Sequence, residues 1–156
     1  MKWVALAIAA LTIAAPAAAA DQGSGAAFKV RAAYDANIVG SDATGLSVVA
    51  AGSATGTELG SGSWNDTEFA AFTASGLDIN GTLTLTAANG DELFVQYHAT
   101  TPFPDATGAI HPVGTFTITG GTGRFANATG GGTLAADGNV ANPATTATLD
   151  GTIDLH

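Results

Sequence analysis

Three side chains in this sequence are the candidates to move a proton inside a small protein: Glu58, Tyr34 and Tyr97. General acid–base catalysis needs a carboxyl, imidazole, phenol or amine held beside the reacting atom. Tyr34 follows Phe28, Val30 and Ala32 at every second residue, and Tyr97 follows Leu93 and Val95 in the same way, so both hydroxyls fall on an apolar face. Glu58 is harder to place. In ATGTELGSGSW it alternates with Gly60, Gly62 and Trp64, while Thr57, Leu59, Ser61 and Ser63 take the other face, and neither face is cleanly apolar. Pointing inward, Glu58 would be a general base beside Tyr34 or Tyr97. Pointing outward, it would be a solvated carboxylate, and the interior would lack any acid or base. Outward is the expectation, because an unpaired buried carboxylate is costly and no basic residue lies on the apolar face.

A different chemistry is suggested by TFTITGGTGRFANATGGGTL, residues Thr115 to Leu134. Gly121-Thr122-Gly123-Arg124-Phe125-Ala126 reads as G-x-G-x-x-A after an alternating strand, the form of a dinucleotide fingerprint. That motif requires a helix whose N-terminal amides hold the pyrophosphate, and a second parallel strand ending in an acidic residue. Here FANATGGGTL follows, a poor helix, and Asp137 sits in the turn Asp137-Gly138-Asn139. No nucleotide and no other cofactor is expected. The better reading is a loop between antiparallel strands in which Gly120, Gly121 and Gly123 supply backbone freedom and Phe125 folds back as an apolar plug. Arg124 then pairs with a carboxylate or with backbone carbonyls. No G-x-S-x-G elbow and no cysteine offers a nucleophile. His98, His111 and His156 are scattered, and even with Glu58 they lack metal-ligand spacing, so no metal site is expected.

The elements that must position these residues are strands. Phe28 to Tyr34, Leu83–Leu85, Phe116–Ile118 and Leu149 to Leu155 alternate with polar residues, and Gly, Asn, Asp and Pro clusters separate the runs. About eight strand candidates emerge, at the spacing of an antiparallel sandwich or barrel. The one window with helical spacing is Asp66 to Phe72, where Phe69 and Phe72 stand three apart. In TLTLTAANGDELFVQY, a three-residue loop Ala88-Asn89-Gly90 sets Leu85 opposite Leu93 and Leu83 opposite Val95, which gathers the aliphatic residues on one face. Gln96 and His98 then face solvent. Ala32, Ala136 and Gly151 on the core face either leave a cavity or let the wall close, and closure is the expectation because interiors pack densely.

GTFTITGGTGRFANATGGGTL followed by LDGTIDL resembles the C-terminal half of the allene oxide cyclase-like and dirigent-like barrels, in which a GG-G-F loop precedes a further strand. GSATGTELGSGSW and INGTLTLTAANGDELFVQYHAT resemble exported bacterial proteins of the same type, so the likeness spans roughly Gly52 to Leu155. It implies an all-β, small antiparallel eight-stranded β-barrel. The plant cyclases work through a polar pocket with a carboxylate and ordered water contributed by their N-terminal strands. The matching region here, AAFKVRAAYDANIVGSDATGLSVV, carries no motif that aligns residue by residue, so no catalytic residue is carried over.

Lys2, the apolar run Trp3 to Ala15, Pro16 and Ala18-Ala19-Ala20 before Asp21 compose a secretory signal peptide too short to span a membrane. The expected organisation is a signal peptide over 1–20, a polar lead-in over 21–26 and a single β-barrel domain over 27–156, secreted or periplasmic, with no membrane insertion after cleavage. The formal net charge of −9 argues against nucleic acid as a partner. The expected function is a non-catalytic barrel that binds a small apolar ligand or a surface partner, or serves structurally. Its ligand would lie in the interior, among Phe28, Tyr34, Tyr97 and Phe116. A cyclase or isomerase without cofactor is the first alternative, and an adhesive or matrix-type β protein the second. A cavity with a carboxylate inside it would favour the cyclase or isomerase.

Overall fold

The computed structural model describes residues 25–156. The expected signal peptide and most of the expected polar lead-in lie outside them. The described chain forms β1 (Ala26–Ser41), β2 (Gly45–Gly56), β3 (Gly60–Phe72), β4 (Gly76–Thr86), β5 (Glu92–Pro102), β6 (Ala109–Ile110), β7 (Val113–Gly121), β8 (Thr129–Asn139) and β9 (Asn142–Asp154). Neighbouring strands pair antiparallel in the order β1-β2-β3-β4-β5-β7-β8-β9, and β9 pairs back onto β1. The result is a closed eight-stranded barrel, as the resemblance implies, where alternation alone left sandwich and barrel open. Two-residue β6 is not a separate wall. Both β6 and β7 pair with β8, Ile110 opposite Gly138 and Val113 opposite Ala135, so they are one wall strand interrupted at His111-Pro112. Proline has no N–H to offer the ladder there.

Asp66 to Phe72 is the second half of β3, not a helix. Phe69 and Phe72 are exposed on it, so their spacing of three reflects no buried helical stripe. Closure of the barrel gives β3 two ladder partners, β2 and β4. An isolated helical turn of that length has no comparable compensation. The β4–β5 hairpin has the expected register, with Leu85 opposite Leu93 and Leu83 opposite Val95. Ala87 N–H bonds to the Asp91 carbonyl across Ala88-Asn89-Gly90, and Gly90 has φ 91°. Gln96 and His98 are exposed.

The barrel is filled from one end only. Phe28, Leu85, Leu93, Phe125 and Leu149 are fully buried toward the end that carries the β2–β3, β4–β5 and β7–β8 connections. The three-residue 3-10 turn Gly123–Phe125 turns Phe125 into that core, where nothing of it reaches solvent. Gly123, at φ 52°, lies so close to the Asp91 carboxylate that a side chain there would strike it. Toward the other end five interior positions are alanines, Ala36, Ala50, Ala70, Ala99 and Ala136, and the wall does not close up over them. Closure holds at Ala32 and Gly151, in the packed half, and fails at Ala136. A closed ladder fixes the diameter, so small side chains leave space instead of drawing the wall inward.

Candidate functional site

The open half holds an outer chamber of about 300 Å³ and, beneath it, an inner one of about 70 Å³. They share Ala36, Glu68, Ile79, Ile110 and Thr145. Walls of the outer chamber are mostly aliphatic, with Asn37, Asn139 and Asn142 around its mouth. The inner chamber carries the polar chemistry of the interior: Tyr34, Asp66, Glu68 and Tyr97, beside Trp64.

Alternation along β3 turns Trp64, Asp66, Glu68 and Ala70 inward, and Asn65, Thr67 and Phe69 outward. Two carboxyl groups therefore enter the barrel from one strand, spaced i and i+2. The ring of Tyr97 reaches them because of a glycine. Glu68, Gly81 and Tyr97 are successive partners across β3, β4 and β5. Two strand spacings, about 10 Å, separate the outer pair. The Tyr97 ring lies over Gly81, where a methyl group would collide with it. From there Tyr97 Oη donates to Glu68 Oε2 at 2.5 Å and stands 3.2 Å from Asp66 Oδ2. The same device recurs one strand over. Tyr34, Gly52 and Trp64 are successive partners across β1, β2 and β3, and the two rings stack over Gly52 at 4.9 Å and 6°. Trp64 Nε1 then donates to Asp66 Oδ2 at 2.9 Å.

Hydrogen bonds satisfy only part of this cluster. Asp66 is 6% exposed, and its Oδ1 is buried without a partner. Burial, and then the neighbouring Glu68 carboxylate, push the Asp66 carboxyl up to about 7, against the opposing effect of the Trp64 and Tyr97 bonds. Glu68 is also raised, by desolvation, and the Tyr97 hydroxyl partly offsets this. Burial and the two carboxylates raise the phenols of Tyr97 and Tyr34 as well. Like charges this close cannot both ionise cheaply, so near neutral pH the pair retains a proton. One carboxyl can accept a proton while the other donates a hydrogen bond, which is the division of labour that acid–base catalysis requires.

Residues singled out from sequence fall in different places. Tyr34 and Tyr97 line the inner chamber. Phe28 and Phe116 belong to the packed half, 5.8 Å apart between ring centres, and line neither chamber. Glu58 lies in the β2–β3 turn at the closed end, with φ 63°, and its Oε2 is 3.4 Å from Arg124 Nη1. That turn breaks the alternation: Leu59 is buried beside it and Gly60 is exposed. Glu58 and Tyr34 or Tyr97 are therefore not brought together. Gly120, Gly121, Gly123 and Phe125 build the plug. His98 pairs with Asp78 at 2.9 Å and His111 with Asp137 at 2.6 Å, both on the outside. Among the described residues no three His, Cys, Asp or Glu side chains converge.

Asp66 and Glu68 correct the expectation that an outward Glu58 leaves the interior without an acid or base. Sequence reading missed them because their face carries two carboxyls beside Trp64 while the solvent face carries Phe69, so hydrophobicity does not choose between the two. The usable signal was Trp64, whose parity they share and whose partner Leu85 lies on the clean apolar face of β4. In comparisons with known proteins, no family model, no curated protein and no solved structure matches the chain.

Proposed function

We propose that the protein is an exported barrel of the allene oxide cyclase-like kind that takes a small, mainly apolar molecule into its open end and moves a proton on it, as a cyclase or isomerase without cofactor. The observation that carries this reading is the Asp66–Tyr97–Glu68 cluster at the floor of an aliphatic chamber. A packed structural barrel has no use for two carboxyls that burial penalises. An adhesive role is disfavoured by the same cavity, and the exposed apolar side chains Val49, Phe69 and Phe94 are set beside the polar residues Thr67, Asn80 and Thr84 of neighbouring strands. In the proposed reaction the ionised carboxyl, held by Tyr97, removes a proton from carbon next to a carbonyl or epoxide. The protonated partner supplies a hydrogen bond to the oxygen on which charge develops.

Two measurements test this. Binding of the neutral dye N-phenylnaphthylamine, followed by fluorescence, should saturate and should be lost when Ala70→Trp fills the outer chamber. A medium-chain β,γ-unsaturated ketone in deuterated water should gain deuterium in the presence of the protein, about 100-fold more slowly with Glu68→Gln. Dye binding with no deuterium gain would leave a carrier of apolar molecules, the non-catalytic reading. Absence of both would remove the chamber from consideration as a site.

A further inference from the structure

The chamber is unusual in the sign of what it lacks. Its floor has two carboxyl groups, yet among the described residues no Lys, Arg or His lines either chamber. Around Asp66, β2 presents Ala50 and β4 presents Leu83 as direct partners, so neither supplies a positive charge. The titratable groups that face it are Glu68 on its own strand, Tyr34 on β1 and Tyr97 on β5. One Asp66 oxygen is spoken for by Trp64 and Tyr97, and the other, Oδ1, is buried with no partner. A buried carboxylate oxygen left unpaired demands a donor, and a cationic donor satisfies both its hydrogen-bonding and its charge. The walls above it are aliphatic, and the mouth is rimmed by neutral amides.

We infer that the ligand of this barrel carries a protonated amine on a compact apolar body, with the ammonium seated against the Asp66 carboxyl in the inner chamber and the hydrocarbon filling the outer one. The inference rests on the open end being a ligand chamber, and not on the proton transfer proposed for it. An anionic ligand, whether carboxylate or phosphate, meets two carboxyls and no counter-charge. A neutral alcohol satisfies the free oxygen but leaves the like-charge pair uncompensated. The ammonium does both, and it leaves Glu68, at the junction of the chambers, next to the body of the molecule. The formal net charge of −9 favours the approach of cations from solution. Binding a cation lowers the cost of ionising the pair, so uptake of the amine should release protons.

Three probes of one shape and different charge test this: adamantanamine, adamantanol and adamantane carboxylate, measured by calorimetry at about pH 7, where Asp66 still holds part of its proton, in buffers of differing ionisation enthalpy, so that proton release is read directly. The amine is expected to bind at least about tenfold more tightly than the alcohol, and the carboxylate not at all. Lowering the pH to about 5 should weaken the amine and spare the alcohol, as the carboxyls protonate. Asp66→Asn should remove the preference for the amine while keeping the alcohol. If that variant does not fold, the wild-type series and its pH arm decide. Equal affinity for amine and alcohol, or a preference that survives Asp66→Asn, would overturn the inference and leave the chamber as a site for neutral molecules. Failure of all three probes to bind would overturn the inference and the chamber reading together.

Discussion

Asp66, Glu68 and Gly81 show how single positions divide the work of the site. The Tyr97 hydroxyl stabilises the ionised form of Glu68, and it gets there only because Gly81 has no side chain. Gly81→Ala should therefore fold, because the atoms in the way belong to the mobile end of the Tyr97 ring, at a cost of about 1–3 kcal/mol. It should also swing Tyr97 off Glu68. Carboxyl NMR should show the Glu68 titration moving further up, as in Tyr97→Phe, and an unmoved titration would mean that the bond does not depend on the glycine. Glu58 is the contrasting case. Held at φ 63° far from the chamber, it adopts a conformation that costs a non-glycine residue about 1 kcal/mol. Glu58→Gly should leave unfolding free energy unchanged or slightly raised and should not alter probe binding. A loss of binding would return Glu58 to the functional site.

At the scale of elements, the 3-10 turn between β7 and β8 closes one end of the barrel and leaves the other as the entrance. Thr122 ties it to β5 twice: its N–H donates to the Glu92 carbonyl at 2.8 Å, and its hydroxyl accepts from Glu92 N–H at 2.8 Å. This anchoring aims Phe125 inward, while Arg124 stays outside over the ring, 4.6 Å from its centre, and pairs with Glu58. Phe125→Ala should cost about 3–5 kcal/mol in denaturant unfolding, from lost burial and the cavity it leaves. Arg124→Ala should cost under about 1 kcal/mol, since its ion pair is partly exposed and screened. A reversal of that order would show that the turn is held by its charge and not by its plug.

For the molecule as a whole, the buried pair and the rim set opposite pH limits. An unfolded Asp titrates near 3.8, whereas Asp66 in the barrel titrates near 7. Between these values the folded state holds a proton that the unfolded state has lost, so stability falls as pH rises through that window. The fall should be roughly 2–4 kcal/mol between about pH 4 and about pH 8, and Asp66→Asn should flatten it. At the open rim, Asp42 and Asp105 act in the other direction. Their carboxylates accept bonds first from the Thr44 and Thr107 hydroxyls and then from the Thr44, Gly45, Thr107 and Ala109 amides, and are lowered by them. Their contribution is present above the unfolded value and is lost as pH falls below it. Thermal unfolding should therefore show its highest midpoint in mildly acidic solution. A midpoint that rises steadily from about pH 5 to about pH 8 would mean that Asp66 is ionised without penalty.

The strand alternation and the register of the β4–β5 hairpin were legible in the sequence, because each depends on residues within about a dozen positions of one another. A period of two and a three-residue turn are local properties, and local chemistry is enough to impose them. The function-bearing features are not local. Whether Asp66 and Glu68 face inward depends on which face of β3 meets the apolar face of β4, and hydrophobicity could not choose between a face with Trp64 and one with Phe69. That Ala36, Ala50, Ala70, Ala99 and Ala136 bound a chamber depends on the circumference of a closed ladder. Glu68, Gly81 and Tyr97 are scattered along the chain and become neighbours only across three paired strands. Ladder closure is a tertiary event: it fixes the diameter and the register together, and with them the space, the buried charge and the oxygen left without a partner.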